Sequence, residues 1–128
     1  MELKQIIDRV LKLDPQKRVK FIVLFGSVSR NKATPLSDID LAVFYEGNGK
    51  ERFKFRALAS GTLPDTVDLH IFQDLPLAVK KEVINGKVLY YRDFQFVFDR
   101  FLEVIKEFDY FEKYYRESLQ EMARRAET

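Results

Sequence analysis

The chain has 128 residues, 46% of them hydrophobic, enough for one ordinary domain whose core buries roughly two-thirds of the surface exposed when unfolded. Its 22 Lys and Arg stand against 20 Asp and Glu, and the formal charge of +2 gives no field strong enough to grip a nucleic-acid backbone. The absence of Cys excludes disulfides, thiolate metal sites and thiol nucleophiles, so any metal must be held mainly by oxygen. No apolar run approaches the ~20 residues of a membrane span. A cytoplasmic location without direct nucleic-acid or membrane contact is the simplest expectation.

Leu3, Ile6, Ile7, Val10 and Leu11 fall at helical spacing until Asp14-Pro15 ends the pattern, which predicts a short amphipathic first helix rather than a signal peptide. Val19 to Phe25 is apolar and β-branched nearly throughout, as in a strand covered on both faces. Gly26-Ser27 interrupts it. Val28 to Ser37 is polar with Pro35 inside and reads as a short helical turn followed by a loop. Ile39 to Tyr45 is a second strand, Glu46 to Gly49 a turn, and Glu51 to Ser60 a short helix stopped by Gly61 and Pro64. Thr66 to Phe72 is a third strand. Asp74 is placed to cap a helix with Pro76 in its first turn and Leu77, Val79, Val83 and Ile84 as its apolar positions, closed by Asn85-Gly86. Val88 to Tyr91 adds a short edge strand. From Phe94 to Met122 a helical apolar stripe continues, as one long helix or two broken near Asp109. With no linker or repeat, residues 1–128 are expected to form one α+β domain: a small mixed sheet packed against helices, with a core at about 18–92 and a C-terminal helical segment at about 93–125.

The chemistry concentrates in the second and third strands. In Ser37-Asp38-Ile39-Asp40-Leu41 the two-residue period of a strand sends Asp38 and Asp40 to one face, with Cα atoms about 6.6 Å apart. At an effective dielectric near 20, two charges at that distance repel by about 2.5 kcal/mol. Protonation, water or a divalent cation must offset the repulsion, and Mg²⁺ favours one or two carboxylates plus substrate phosphates. Val67-Asp68-Leu69-His70-Ile71 repeats the pattern and puts Asp68 and His70 on the polar face. Three carboxylates on neighbouring strands suit two-metal nucleotidyl transfer, with the third also able to take the nucleophile's proton. An isolated Asp-x-Asp is more often a solvent-facing decoration. Gly26-Ser27, where a strand gives way to a helical turn, is a position at which backbone amides and a hydroxyl can meet a phosphate; alone it is an ordinary turn.

Gly26-Ser27, ten residues, and Asp38-Ile39-Asp40, within LFGSVSRNKATPLSDIDLAV, resemble the signature of the polymerase-beta nucleotidyltransferase superfamily, especially its minimal antitoxin-type members. Val67-Asp68-Leu69 resembles the family's third acid, and VINGKVLYYRD is similar to the stretch that follows it in small members. The resemblance implies a polymerase-beta-type nucleotidyltransferase fold and adenylyl transfer from ATP. It implies that Asp38, Asp40 and Asp68 are the catalytic and metal-binding acids for Mg²⁺, as two ions. Gly26 and Ser27 would hold the nucleoside triphosphate, with Ser37 in the same nucleotide-binding set. Arg30 is either a phosphate ligand or a solvated side chain, because Asn31 follows it where many relatives carry Gly. The small relatives are antitoxins that pair with a HEPN-domain toxin and adenylylate its tyrosine, so a HEPN partner is the implied one. Two alternatives stand beside this: a non-catalytic subunit that neutralises its partner by binding, and a small-molecule nucleotidyltransferase of the antibiotic-modifying type, which usually needs a larger second domain.

Other features have plainer explanations. His70 could touch nucleotide or acceptor, but a lone strand His is more often a hydrogen-bonded structural residue. Lys50, Arg52, Lys54 and Arg56 read as a solvated helix surface over Phe53 or Phe55. The aromatic content around Phe96, Tyr110 and Tyr114 exceeds what one stripe needs; if exposed, these side chains predict a partner subunit or a homodimer.

Overall fold

The computed structural model describes residues 1–26 and 38–127. The helical turn and loop expected over Val28 to Ser37, and with them Ser27, Arg30 and Ser37, lie outside the described residues.

Leu3–Lys12 form helix α1, opened by a capping box between Glu2 and Gln5 and buried through Ile6 and Val10. After it, Asp14 turns the chain into strand β1, Val19–Phe25. The buried Asp14 carboxylate accepts from the backbone N–H groups of Arg18 at 2.8 Å and Val19 at 2.7 Å. Replacing Asp14 with Ala strands the buried Val19 N–H, and we expect a loss of about 1–3 kcal/mol in chemical denaturation.

Strand β1 runs antiparallel to β2, Ile39–Tyr45, and to β4, Lys87–Tyr91; β2 pairs in parallel with β3, Val67–Ile71, giving the order β3-β2-β1-β4. The central strand is covered on both faces, as its composition required. The ladder steps from Val19↔Tyr45 to Phe21↔Phe44, so Lys20 is an extra residue, and Val19 and Ile22 consequently share a face. On that face Val19, Ile22 and Leu24 meet Leu41, Val43, Leu69 and Ile71 beneath α1 and helix α2, Gly49–Thr62. On the other, Phe21, Val23, Phe25, Ala42 and Phe72 meet Val83 of helix α3, Leu77–Ile84, and Val97 and Val104 of helix α4, Phe94–Ala126. Phe21 anchors this side, with ring contacts to Phe44, Phe72, Phe96 and Phe101.

Several boundaries differ from expectation. Helix α2 begins at Gly49 and passes through Gly61 to Thr62, because Asn48 and Glu51 form a capping box within what reads as a turn. Asp74 does not cap α3: it ends a short 3-10 turn, Phe72–Asp74, and its carboxylate receives the Arg52 guanidinium at 2.8–3.2 Å, leaving Pro76 at the cap position. Arg52 is thereby fixed instead of solvated, and Arg56 donates to the Leu69 carbonyl of edge strand β3. Phe55 is the aromatic buried under α2, whereas Phe53 is exposed. The C-terminal segment is one helix of 33 residues, about 50 Å at 1.5 Å per residue. Its distal half leaves Tyr110, Phe111, Tyr114, Tyr115, Leu119 and Met122 exposed, Tyr110 by 74%. Among the described residues, no helix is long and apolar enough to cross a membrane.

Candidate active site

The site lies where β1 ends and the parallel strands β2 and β3 begin, on the sheet face shared with α3 and α4. Strand alternation puts Leu41 and Val43 of β2, and Leu69 and Ile71 of β3, into the α1/α2 core, so Asp40, Asp68 and His70 turn to the opposite face. Register then aligns them: Asp40 is the direct neighbour of Asp68 across the parallel ladder, Ala42 of His70, and Phe25 of Asp40 across the antiparallel one. Like charges placed opposite each other destabilise a sheet. At about 5 Å the repulsion runs from about 1 kcal/mol in water to about 3 kcal/mol at an effective dielectric near 20.

Electrostatics centres on Asp40. Partial burial pushes its carboxyl above the ordinary carboxylate range; His70 opposes the shift, and the charges of Asp68, Asp38 and Glu82 of α3 add to it. His70 Nε2 lies 3.1 Å from Asp68 Oδ2 and 3.9 Å from Asp40 Oδ1, with its ring tilted on Phe25 at 5.9 Å between centroids. One ligand atom from each of Asp40, Asp68 and His70 falls within 4.8 Å of the others. Two carboxylate oxygens and an imidazole nitrogen at this spacing fit a divalent cation. Gly26 closes the site from β1. It has φ +80°, and a Cβ there would stand 2.5 Å from Asp40 Oδ2, so only glycine lets the chain pass this close to the carboxylate.

Of the expected site residues, the structure brings Asp40, Asp68 and Gly26 together, whereas Ser27, Arg30 and Ser37 fall outside the described residues. Asp38 is exposed, precedes the first ladder residue Ile39 and is not in the three-residue cluster; it acts on Asp40 through its charge. His70, read as a structural histidine, takes the place in the cluster expected of Asp38. The two-residue period already put His70 on the face of Asp68; its distance to Asp40 depends on the β2–β3 register. Glu82 had no signal in the sequence, since only the packing of α3 brings its charge to Asp40.

Known proteins resemble this chain to different degrees. Over 70 residues the chain is 37% identical to the protein MJ1547 of Methanocaldococcus jannaschii, whose name assigns it provisionally to the protein adenylyltransferases. The match covers 54% of this chain and 53% of that protein, so the chain spans about half the length of its curated relative. A solved toxin–antitoxin complex with AMP-PNP contains a chain that superposes with a TM-score of 0.69 at 21% identity, covering 90% of this chain and 96% of the other. Another, a tri-AMPylated Shewanella oneidensis HEPN toxin in complex with its MNT antitoxin, gives 0.63 at 21% identity, covering 93% and 97%. At such identities the likeness is one of fold: a mixed α+β sheet of the polymerase-beta nucleotidyltransferase kind. The family described as polymerase beta, nucleotidyltransferase, matches residues 5–95, a span that holds the whole sheet and the acidic cluster, and the chain belongs to that family.

Proposed function

We propose that this chain transfers AMP from ATP to a hydroxyl of a partner protein, a tyrosine of a HEPN-type toxin, and acts as its antitoxin in the cytoplasm, where ATP is supplied. The observation that carries the reading is the register that sets Asp40 against Asp68 with Gly26 over the Asp40 carboxylate. Family membership, a relative named for protein adenylylation, and solved relatives holding AMP-PNP or an AMPylated HEPN toxin support it.

In this reading the acceptor oxygen attacks the α-phosphorus of ATP, its bond to phosphorus forms, and the bond to the bridging oxygen of the leaving pyrophosphate breaks. Asp40 and Asp68 would hold two divalent cations, Mg²⁺ at least on the nucleotide, with Asp38 at the rim; when bound, these would supply positive charge to the phosphate oxygens. Asp68, the more exposed of the two clustered acids, takes the acceptor's proton. Gly26 keeps the backbone clear of Asp40, and Gly26, Ser27, Arg30 and Ser37 receive the triphosphate.

The exposed aromatic face of distal α4 supplies the docking surface, since a contiguous apolar patch of this kind on a folded chain marks a protein contact. The test combines the chain, ATP labelled at the α-phosphate, Mg²⁺ and a HEPN protein from the adjacent gene. Label should appear on a toxin tyrosine and vanish with Phe111→Glu plus Tyr115→Glu, while unfolding of the sheet core is unchanged. No transfer with any divalent metal sinks the proposal. The same aromatic face also favours neutralisation by binding alone. Toxin inhibition that survives Asp38→Asn with Asp40→Asn would select that second reading.

A further inference from the structure

The geometry points to His70 as the third protein ligand of a cation held with Asp40 and Asp68, which makes the protein-borne position selective for a first-row transition ion, probed as Mn²⁺, over Mg²⁺. The assignment rests on the cation role given above to Asp40 and Asp68 and deepens it. The nucleotide brings Mg²⁺ with its phosphates, and the chain itself holds the transition ion.

Three observations carry it. Ligand atoms at about 2.1 Å from a cation lie about 3.0 Å apart at right angles and about 3.4 Å apart in a tetrahedron. His70 Nε2 and Asp68 Oδ2, at 3.1 Å, already define such an edge, and His70 Nε2 and Asp40 Oδ1, at 3.9 Å, need to close by less than about 1 Å. Second, the imidazole is held in place: its ring rests on Phe25, and its neighbour across the ladder, Ala42, adds only a methyl group to that face. Third, the place an all-carboxylate Mg²⁺ site would give to a third acid is filled by nitrogen, because Asp38 stands outside the cluster. Two carboxylates and one imidazole on adjacent strands, with the remaining positions open, form a donor set suited to first-row transition ions, whereas Mg²⁺ prefers oxygen throughout.

The experiment uses the full chain without nucleotide or acceptor, so that it does not depend on transfer activity. Mn²⁺ and Mg²⁺ affinities are measured by titration for the wild type and His70→Gln, and the wild-type Mn²⁺ complex is examined by electron spin echo for modulation from a directly bound ¹⁴N. We expect the nitrogen modulation, and a loss of at least about tenfold in Mn²⁺ affinity in the variant against less than about threefold for Mg²⁺. The wild-type spectrum stands alone if the variant fails to fold. Absence of nitrogen modulation in a wild type that binds Mn²⁺, or a Mn²⁺/Mg²⁺ ratio unchanged in His70→Gln, overturns the assignment and leaves the adenylyl-transfer reading standing. A wild type that holds no Mn²⁺ likewise overturns the assignment, and the adenylyl-transfer reading is then decided by its own labelled-ATP assay, in which the nucleotide brings the cation.

Discussion

Asp40→Asn is expected to abolish the proposed adenylyl transfer and at the same time to make the metal-free protein harder to unfold near neutral pH. The first effect follows from its place in the cluster. Charge stabilisation by a bound cation at a phosphoryl oxygen is worth several kcal/mol, so its loss costs about 10³-fold or more in kcat/KM. The second follows from the environment of the carboxylate. Burial foremost, and then the charges of Asp68, Asp38 and Glu82, raise the Asp40 carboxyl above its ordinary value despite His70. The folded state therefore binds more protons than the unfolded one between that ordinary value, about 3.9, and the raised one. Stability accordingly falls as pH rises through this window. The penalty is absent below about pH 3.9 and complete above the raised value. Asparagine does not titrate, so the variant escapes the fall. Thermal unfolding in chelator should show Asp40→Asn above wild type at neutral pH, with the gap closing toward about pH 4. A divalent cation should stabilise the wild type and not the variant. An Asp40→Asn protein no more stable than wild type at any pH would show that the cluster carries no electrostatic strain.

Gly26→Ala is expected to produce the second large effect, and by displacement rather than loss of a ligand. The new Cβ stands 2.5 Å from Asp40 Oδ2 and 3.4 Å from Cγ, and the carboxylate is the end that can move. A shift of about 1 Å in a reacting constellation costs about 10²-fold in rate. The left-handed backbone at φ +80° adds about 1–2 kcal/mol of strain for any residue with a Cβ. The two parts separate in a double-mutant cycle. In an Asp40→Ala background the clash is gone, so the stability cost of Gly26→Ala should shrink to the backbone strain alone. A Gly26→Ala protein with undiminished transfer would remove Gly26 from the site.

Local periodicity was enough to read much of this molecule. The run Val19 to Phe25, apolar but for Lys20, required a strand buried on both faces, and the alternation in Ile39-Asp40-Leu41 and Val67-Asp68-Leu69 required both acids to leave the apolar core on one side. Asn48 and Glu51 show the limit of reading turns from composition: Gly47 and Gly49 suggested a bend, while the side chains three apart capped a helix. Asp74 shows the same limit for caps, because Arg52, 22 residues earlier, competes for its carboxylate and no local rule contains that partner.

The sequence by itself determined which residues form the strands, which face the acids occupy and which chemistry the set can perform, because side-chain period and donor type are properties of neighbours along the chain. Only the tertiary structure decided that β2 and β3 pair in parallel with Asp40 beside Asp68, that His70 joins them while Asp38 stays outside, and that Gly26 presses on the Asp40 carboxylate. These depend on register between distant segments, and a shift of one residue would have turned every one of those side chains to the other face.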